Sequence, residues 1–504
     1  MKKLLSVLIL LFITKYNYAQ FYFNSVIPSD ENCIDGIYHP AMEISFDTIL
    51  LLNPTKFRNK YSGTTRQFLL NEIGKLISSE KFVDSNNLTI PFDIFKINNS
   101  YIVCGQKFIS KDSIGELWYA QLSGDGKIIW EKKIRTNYNN PGLLKISISR
   151  INSRINFCGT NVLIRSSGSA ITSHGIVVIT DSIGNIQYFV EVNDLDTTTL
   201  ESYYGITEDS TGNVYACGIV KKDDLNHDAV IVKVSPDGQL LWRKQIPSPE
   251  YNEILNSGFP QEDGSILFVG GSANGDFFAP KFNSVVLMNM DTSGKINWTK
   301  RIYKSWDSYN ASCIEDAQGN ILCGGTSRFK DTDQYDGWIC KFSNKGDSIW
   351  SRVINNYDKI GEQFFNIANA SDGGYYLTGY SWIEGNNSSK AWIVKVDSLG
   401  CLVPGCEKVV ATEDIRSGKE KEFVMFPNPV TERFFFLSRI TVDEPLQMLI
   451  HNLQGELIQT YKFRAYEGHQ YQLDLKEDIP SGLYNVTIVN AKGMVLFSEK
   501  MEKV

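Results

Sequence analysis

The chain is poor in the groups that most enzyme chemistry needs. It has five histidines in 504 residues, His39, His174, His227, His451 and His469, and none forms a metal pair at helical or hairpin spacing. His-Glu-x-x-His is absent, as are Gly-x-Ser-x-Gly and a phosphate-binding glycine loop before a helix. Zinc hydrolysis, serine-nucleophile catalysis and nucleotide chemistry therefore lack their usual parts. No block of Lys and Arg occurs and the net charge is only −7, which argues against a nucleic-acid surface. No apolar run beyond the N-terminus reaches 18 residues, so no later segment reads as a membrane-spanning helix. Extended helical periodicity is missing throughout.

What is present begins with a secretory signal. Lys2-Lys3 precedes an apolar run from Leu4 to Ile13, and Tyr18-Ala19-Gln20 supplies the small residue near a cleavage point. Residues 1–19 read as a signal peptide. The mature chain is then longer than one ordinary domain, and two or three units are expected.

Between about residues 40 and 405 the chain repeats. A turn glycine recurs at Gly74, Gly126, Gly184, Gly238, Gly294, Gly346 and Gly400. A second recurs at Gly105, Gly159, Gly218, Gly270, Gly324 and Gly379, and both markers share one period of 52 to 59 residues. Each period holds four short strand-like runs separated by Gly, Asp and Asn turns. One period reads Ser312–Glu315, Asn320–Cys323, Gly337–Phe342 and Ser348–Ile354. In its third run Trp338, Cys340 and Phe342 face one way, with Ile339 and Lys341 facing the other. Four antiparallel strands at this period describe a propeller blade. The expected fold is all-β: a β-propeller of about seven four-stranded blades over residues 20–406, then a small antiparallel β-sandwich.

Trp130, Trp242, Trp298 and Trp350 each follow a turn glycine by four residues, placed to pack on the neighbouring blade. Cys104, Cys158, Cys217 and Cys323 each precede the second glycine and read as small buried residues, too far apart to pair. Cys401 and Cys406 flank Val403-Pro-Gly405 and form a disulfide candidate. The last repeat lacks its fourth strand, and Phe21–Ile27 is expected to fill that place.

Residues 407–422 are charged, without apolar period, and read as a linker. From Phe423 to Val504 short strands return without the repeat markers. The segment carries Pro427-Asn428-Pro429, then Asn452-Leu-Gln-Gly455, then Gly482-Leu-Tyr484 followed by Val486 and Ile488. In this order the segment resembles the type A C-terminal sorting domain of the Bacteroidetes type IX secretion system. The resemblance implies recognition by that secretion machinery, with Pro427, Asn428, Pro429, Gly455, Gly482 and Tyr484 as the motif residues. It implies a secreted or cell-surface protein, and a tail that is removed after export. With the linker before it, the tail is expected to stand apart from the repeats, and residues 20–406 to fold alone.

Two acidic loops, Asp223–Asp228 and Asp331–Asp336, offer carboxylates. Asp331, Asp333 and Asp336 are weak calcium candidates, although the EF-hand spacing is not met. His174 and His227 occupy similar loop positions in adjacent repeats and could share a rim site. The glycine-to-Trp spacing also resembles pyrroloquinoline-quinone propellers, which have eight blades; this chain has about seven repeats and no Cys-Cys pair. The leading expectation is a non-enzymatic exported propeller that binds protein or glycan on one face, with no cofactor. The alternative is a propeller enzyme, a quinone-dependent dehydrogenase or a glycan hydrolase working through paired carboxylates.

Overall fold

The computed structural model describes residues 23–26, 33–35, 41–45, 48–57, 63–71, 76–81, 87–109, 114–164, 170–192, 200–223, 226–248, 251–274, 282–303, 307–328, 335–354, 359–383, 388–402, 422–426, 428–466, 469–476 and 478–504. The signal-peptide reading, residues 407–421 of the linker, Asp331, Asp333, Cys406 and Pro427 lie outside these. Among the described residues every regular element is a strand.

The chain opens with β1 (Phe23–Val26), β2 (Cys33–Asp35), β3 (Ala41–Ser45), β4 (Thr48–Phe57), β5 (Gly63–Asn71) and β6 (Leu76–Lys81). Next come β7 (Asn87–Ile97), β8 (Ser100–Ile109), β9 (Ile114–Ser123) and β10 (Ile128–Ile134). The same four-strand unit returns as β11 (Gly142–Ile148), β12 (Ile155–Ile164), β13 (Ala170–Thr180) and β14 (Ile186–Val192). It returns again as β15 (Leu200–Glu208), β16 (Val214–Asp223), β17 (Asn226–Val234) and β18 (Leu240–Ile246). Then follow β19 (Asn252–Pro260), β20 (Ile266–Asn274), β21 (Phe282–Met290) and β22 (Ile296–Tyr303). After these come β23 (Asp307–Glu315), β24 (Ile321–Arg328), β25 (Tyr335–Phe342) and β26 (Ser348–Ile354). The last unit has three strands, β27 (Lys359–Asn369), β28 (Tyr375–Ile383) and β29 (Ser388–Val396).

Each unit is an antiparallel meander. In the last, β1 joins the edge of β29, from Phe23 opposite Lys395 to Val26 opposite Trp392. The first strands touch in succession, β3 with β7 and so on to β27, and β27 in turn touches β3.

Both glycine markers have physical causes. Gly126, Gly184, Gly238, Gly294, Gly346 and Gly400 all have φ between 76° and 83°, the left-handed conformation that tight hairpins need. The second set answers a bulge, except for Gly324: in β24 the residue opposite the slip is its neighbour Gly325, paired with Asn310. In β7, β11, β15, β19 and β27 the register slips by one residue opposite Gly105, Gly159, Gly218, Gly270 and Gly379. The bulge drives a first-strand carbonyl against the glycine. A side-chain carbon at Gly218 would lie 1.9 Å from Ser202 O, and at Gly379 1.6 Å from Gln363 O.

The tryptophans dock as the sequence suggests. Trp130 lies over Gly184 of the next unit, Trp298 over Gly346 and Trp350 over Gly400. Trp242 is covered by Lys244, which reaches to Gly294. The repeat cysteines are buried and free, and they link units too. Cys104, Cys158 and Cys217 direct their Sγ atoms at the carbonyls of Leu143, Tyr203 and Ser257, each on the next first strand. In β25 both faces are covered: Trp338, Cys340 and Phe342 enter one apolar cluster and Ile339 another. Face-to-face stacking of neighbouring sheets explains this, and near-continuous burial hides the period-two signal.

The C-terminal module has β30 (Phe423–Phe426), β31 (Arg433–Ser438), β32 (Val442–Asn452), β33 (Leu457–Ala465), β34 (His469–Asp474), β35 (Gly482–Val489) and β36 (Val495–Lys503). One sheet is β30-β31-β34 and the other β33-β32-β35-β36. Phe434, Phe436, Met448, Ile450, Tyr471, Val486 and Ile488 meet in one cluster drawn from both sheets.

The module does not stand clear of the repeats, contrary to what the charged linker suggests. β34 pairs in parallel with β26, Val353 opposite His469 and Ile354 opposite Gln470. Val424, Phe426, Phe435 and Leu437 turn the other way from the module's own core. They pack with Leu322, Ile354, Phe364, Trp392 and Leu402. The three consecutive phenylalanines of β31 follow from this, because that strand is buried on both faces.

Candidate functional site

The sorting-type motif residues form a structural frame for the last strand. The Asn428 side-chain amide donates to Lys500 O at 2.6 Å, and its oxygen accepts from Glu502 N at 2.8 Å. One side chain thus imitates a strand partner. Val430 continues the pairing: its N–H donates to Glu502 O and its carbonyl accepts from Val504 N. The Asn428–Pro429 bond is cis.

Gly455 closes the β32–β33 hairpin at φ 83°, while Asn452 Oδ1 accepts from the N–H groups of Gln454 and Glu456. Gly482 opens β35, and two residues on Tyr484 enters the core with its hydroxyl donating to Pro480 O at 2.7 Å. This back-bond over four residues has the form of a tyrosine corner. Each described motif residue is therefore explained by the fold of the module. Its exposed apolar side chains include Leu453, Leu457, Leu483, Met494 and Val495, on the sheet β33-β32-β35-β36 or its hairpins, and the C-terminal Val504.

His469, at the seam with the repeats, is 2% exposed. Its ring stacks on Tyr471 at 4.2 Å, lies near Tyr466, and sits with Nε2 4.0 Å from Asp336 Oδ2. Burial holds the imidazole neutral and lowers its pKa from 6.5 to about 3. The folded pKa is below the unfolded one, so this stability is fully present above pH 6.5 and is lost as pH falls from there towards 3. The melting temperature of the full chain should therefore drop over that range. In a His469→Phe variant, which keeps the stacking, that part of the drop should vanish.

The sequence-chosen polar candidates in the repeats separate. Asp336, the described member of the calcium trio, faces His469 of the module. His174 meets Glu191 Oε1 and Tyr138 Oη at 2.7 Å, whereas the backbone of His227 is held by Asn252 in the next unit. The described contacts thus put the two histidines in different settings. Burial and Glu191 push the Tyr138 hydroxyl up to about 12. Cys401 is buried and disulfide-bonded.

Buried ion pairs went unseen in the sequence. Glu201 on β15 takes a fork of bonds from Arg243, and Glu253 on β19 accepts from Arg301 at 2.8 Å. Burial raises the Glu253 carboxyl despite its arginine. Asp93 on β7 holds Lys145 and the Ile146 N–H. At the opposite strand ends, Lys341–Asp316 and Lys395–Asp372 lie at 2.7 and 2.8 Å. Their only sequence signal is a lysine in the third strand one residue before its last apolar position. Among the described residues no group of three His, Cys, Asp or Glu side chains is placed to hold a metal. One cleft between hairpins has a volume of about 180 Å³ and is lined by Asp209, Asn213, Lys233 and Gln261, and another of about 370 Å³ is lined by Gln261, Asn289, Trp298 and Lys345.

Solved structures similar to this chain share about a tenth of its residues. A protein of unknown function from Dyadobacter fermentans DSM 18053 has 10% identity and a TM-score of 0.42, covering 74% of this chain and 97% of its own. The polysaccharide lyase Uly1 has 10% identity and a TM-score of 0.43, covering 76% and 94%. The β-propeller domain of the Trilobed protease from Pyrococcus furiosus has 10% identity and a TM-score of 0.40, covering 79% and 100%. Likeness at this level carries no argument about activity. No curated protein matches the chain. Residues 424–500 match the secretion system C-terminal sorting domain, which supports a type IX sorting tail and with it delivery to the cell surface or beyond.

Proposed function

We propose that this is a non-enzymatic β-propeller of seven blades, closed by β1 and carried to the cell surface or medium by a C-terminal β-sandwich. A signal peptide takes it to the periplasm, and the type IX machinery takes it across the outer membrane. The sorting-domain match over 424–500 carries the reading. The succession of first-strand contacts, returning from β27 to β3, supports the ring. The work of such a ring is to bind protein or glycan on a face. Supporting this over catalysis, Glu201, Glu253 and Asp93 are engaged by Arg243, Arg301 and Lys145. The second reading, a quinone-dependent or glycan-cleaving propeller, needs free carboxylates converging on one pocket.

Export and binding are tested separately. In a host with type IX machinery, the chain lacking 423–504 should stay in the periplasm, and the full chain should reach the surface. Surface delivery of the truncated chain would sink the export reading. On a glycan array the exported protein should bind without changing the glycan; cleavage of any arrayed glycan would replace binding by hydrolysis.

A further inference from the structure

The sheet that meets the module differs from its fellows at one position. Three residues after the repeat Trp, or its equivalent, the outer strands carry Lys81, Lys133, Glu191, Gln245 and Arg301. In β26 that position is Val353. Polar residues suit the outer edge of a sheet that faces water, where they also discourage strand addition. Valine suits an edge that is covered. Val353 and Ile354 are 1% and 0% exposed, while Gln245 and Ile246 of β18, at the same places, are only partly buried.

The module is patterned to match. Along β30 and β31 the side chains alternate: Phe423, Met425, Phe434 and Phe436 enter the module's core, and Val424, Phe426, Phe435 and Leu437 enter the repeat-side cluster. A free module of this size would expose that second row as one apolar stripe, which soluble proteins seldom carry without a partner. Between the two surfaces, Gln470 is fully buried and its Oε1 lies 3.4 Å from Leu402 N. Tyr466 packs into the cluster that holds Trp338 and Val353.

We propose that the C-terminal module has a second role as a strand-donating cap on the repeats. It adds β34 to the edge of β26 and covers an apolar face. It stays bound there as a separate polypeptide when the connection through 407–421 is cut. The occupant of this surface is the chain's own tail, and the proposal does not depend on export. It follows that the sheet β33-β32-β35-β36 is the face left open to any machinery that reads the docked module.

A protease site is introduced within 407–421 of the full chain, and the purified protein is cut and passed over a sizing column at low micromolar concentration. The two fragments should elute together. Val353→Arg gives β26 the kind of residue found in the other five outer strands. This variant should free at least tenfold more module. Separation of the parent fragments as complete as in Val353→Arg would overturn the proposal, and so would continued co-elution in that variant. Hydrogen exchange on the uncut protein gives an arm independent of any variant. Amides at Val353–Ile354 should be protected at least tenfold more than those at Gln245–Ile246, and equal rates would overturn the docked strand.

Discussion

Gly218→Ala should destabilise the repeats by about 3 kcal/mol, and Gly324→Ala should cost almost nothing. Both glycines directly follow the repeat cysteine, so composition and propensity give no reason to separate them, although in β24 the place opposite the slip falls to Gly325, paired with Asn310, and Gly324 pairs with Ser312 beyond it. The bulge does. At Gly218 a new methyl carbon would sit 1.9 Å from the Ser202 carbonyl oxygen and 2.8 Å from Tyr203 Cα, both backbone atoms that cannot turn aside. Overpacking of this kind forces strands apart and typically costs about 1–3 kcal/mol, with rigid neighbours at the upper end. At Gly324 the nearest atom is the Leu377 Cδ2 methyl at 3.2 Å, the end of a flexible side chain. The small loss there is offset by the gain of replacing glycine inside a strand, about 0.5–1 kcal/mol. Urea melts of both variants check the contrast, and equal midpoints would remove the bulge as the cause of the glycine repeat.

Deletion of residues 21–27 should lower the melting temperature of the repeats by about 5–10 °C. Those residues hold β1, whose four positions pair with Lys395 to Trp392 of β29. Each lost backbone bond removes about 1 kcal/mol net, and about 2 °C follows per kcal/mol in a domain of this size. The deletion also leaves β29 as a bare edge, so aggregation at high protein concentration should increase. A calorimetric scan showing an unchanged transition would detach β1 from the stability of the last unit.

The glycine and tryptophan markers made the repeating meander legible, because the turn glycine serves each hairpin from Gly126 to Gly400 in the same way and the other markers recur beside it. Strand limits were less legible where the bulge breaks alternation. The run foreseen as Ser312–Glu315 is Asp307–Glu315, since the register slips between Asn310 and Ser312 and the residues before the slip are polar. In the tail, Gly482–Val489 coincides with the observed β35, which has one clean buried face. β30 went unread because it is four residues long and buried throughout, a run without period. The motif residues Asn428, Gly455 and Tyr484 were found by resemblance, and only the structure shows the carbonyls and turns that require them. The docking of the module was written at Val353, but one valine among five polar counterparts has meaning only after the outer strands are aligned.

The last unit imposes an order in time. Its fourth strand comes from the start of the chain and pairs with residues roughly 370 positions later. Contacts that far apart in sequence form slowly, because most of the chain's freedom must be lost before they bring any return. The units between take their four strands from consecutive stretches of chain, but the closing sheet waits until Trp392 has appeared. The first strand therefore spends the whole of synthesis and translocation without its partner. The last unit is completed only when the final repeat is delivered.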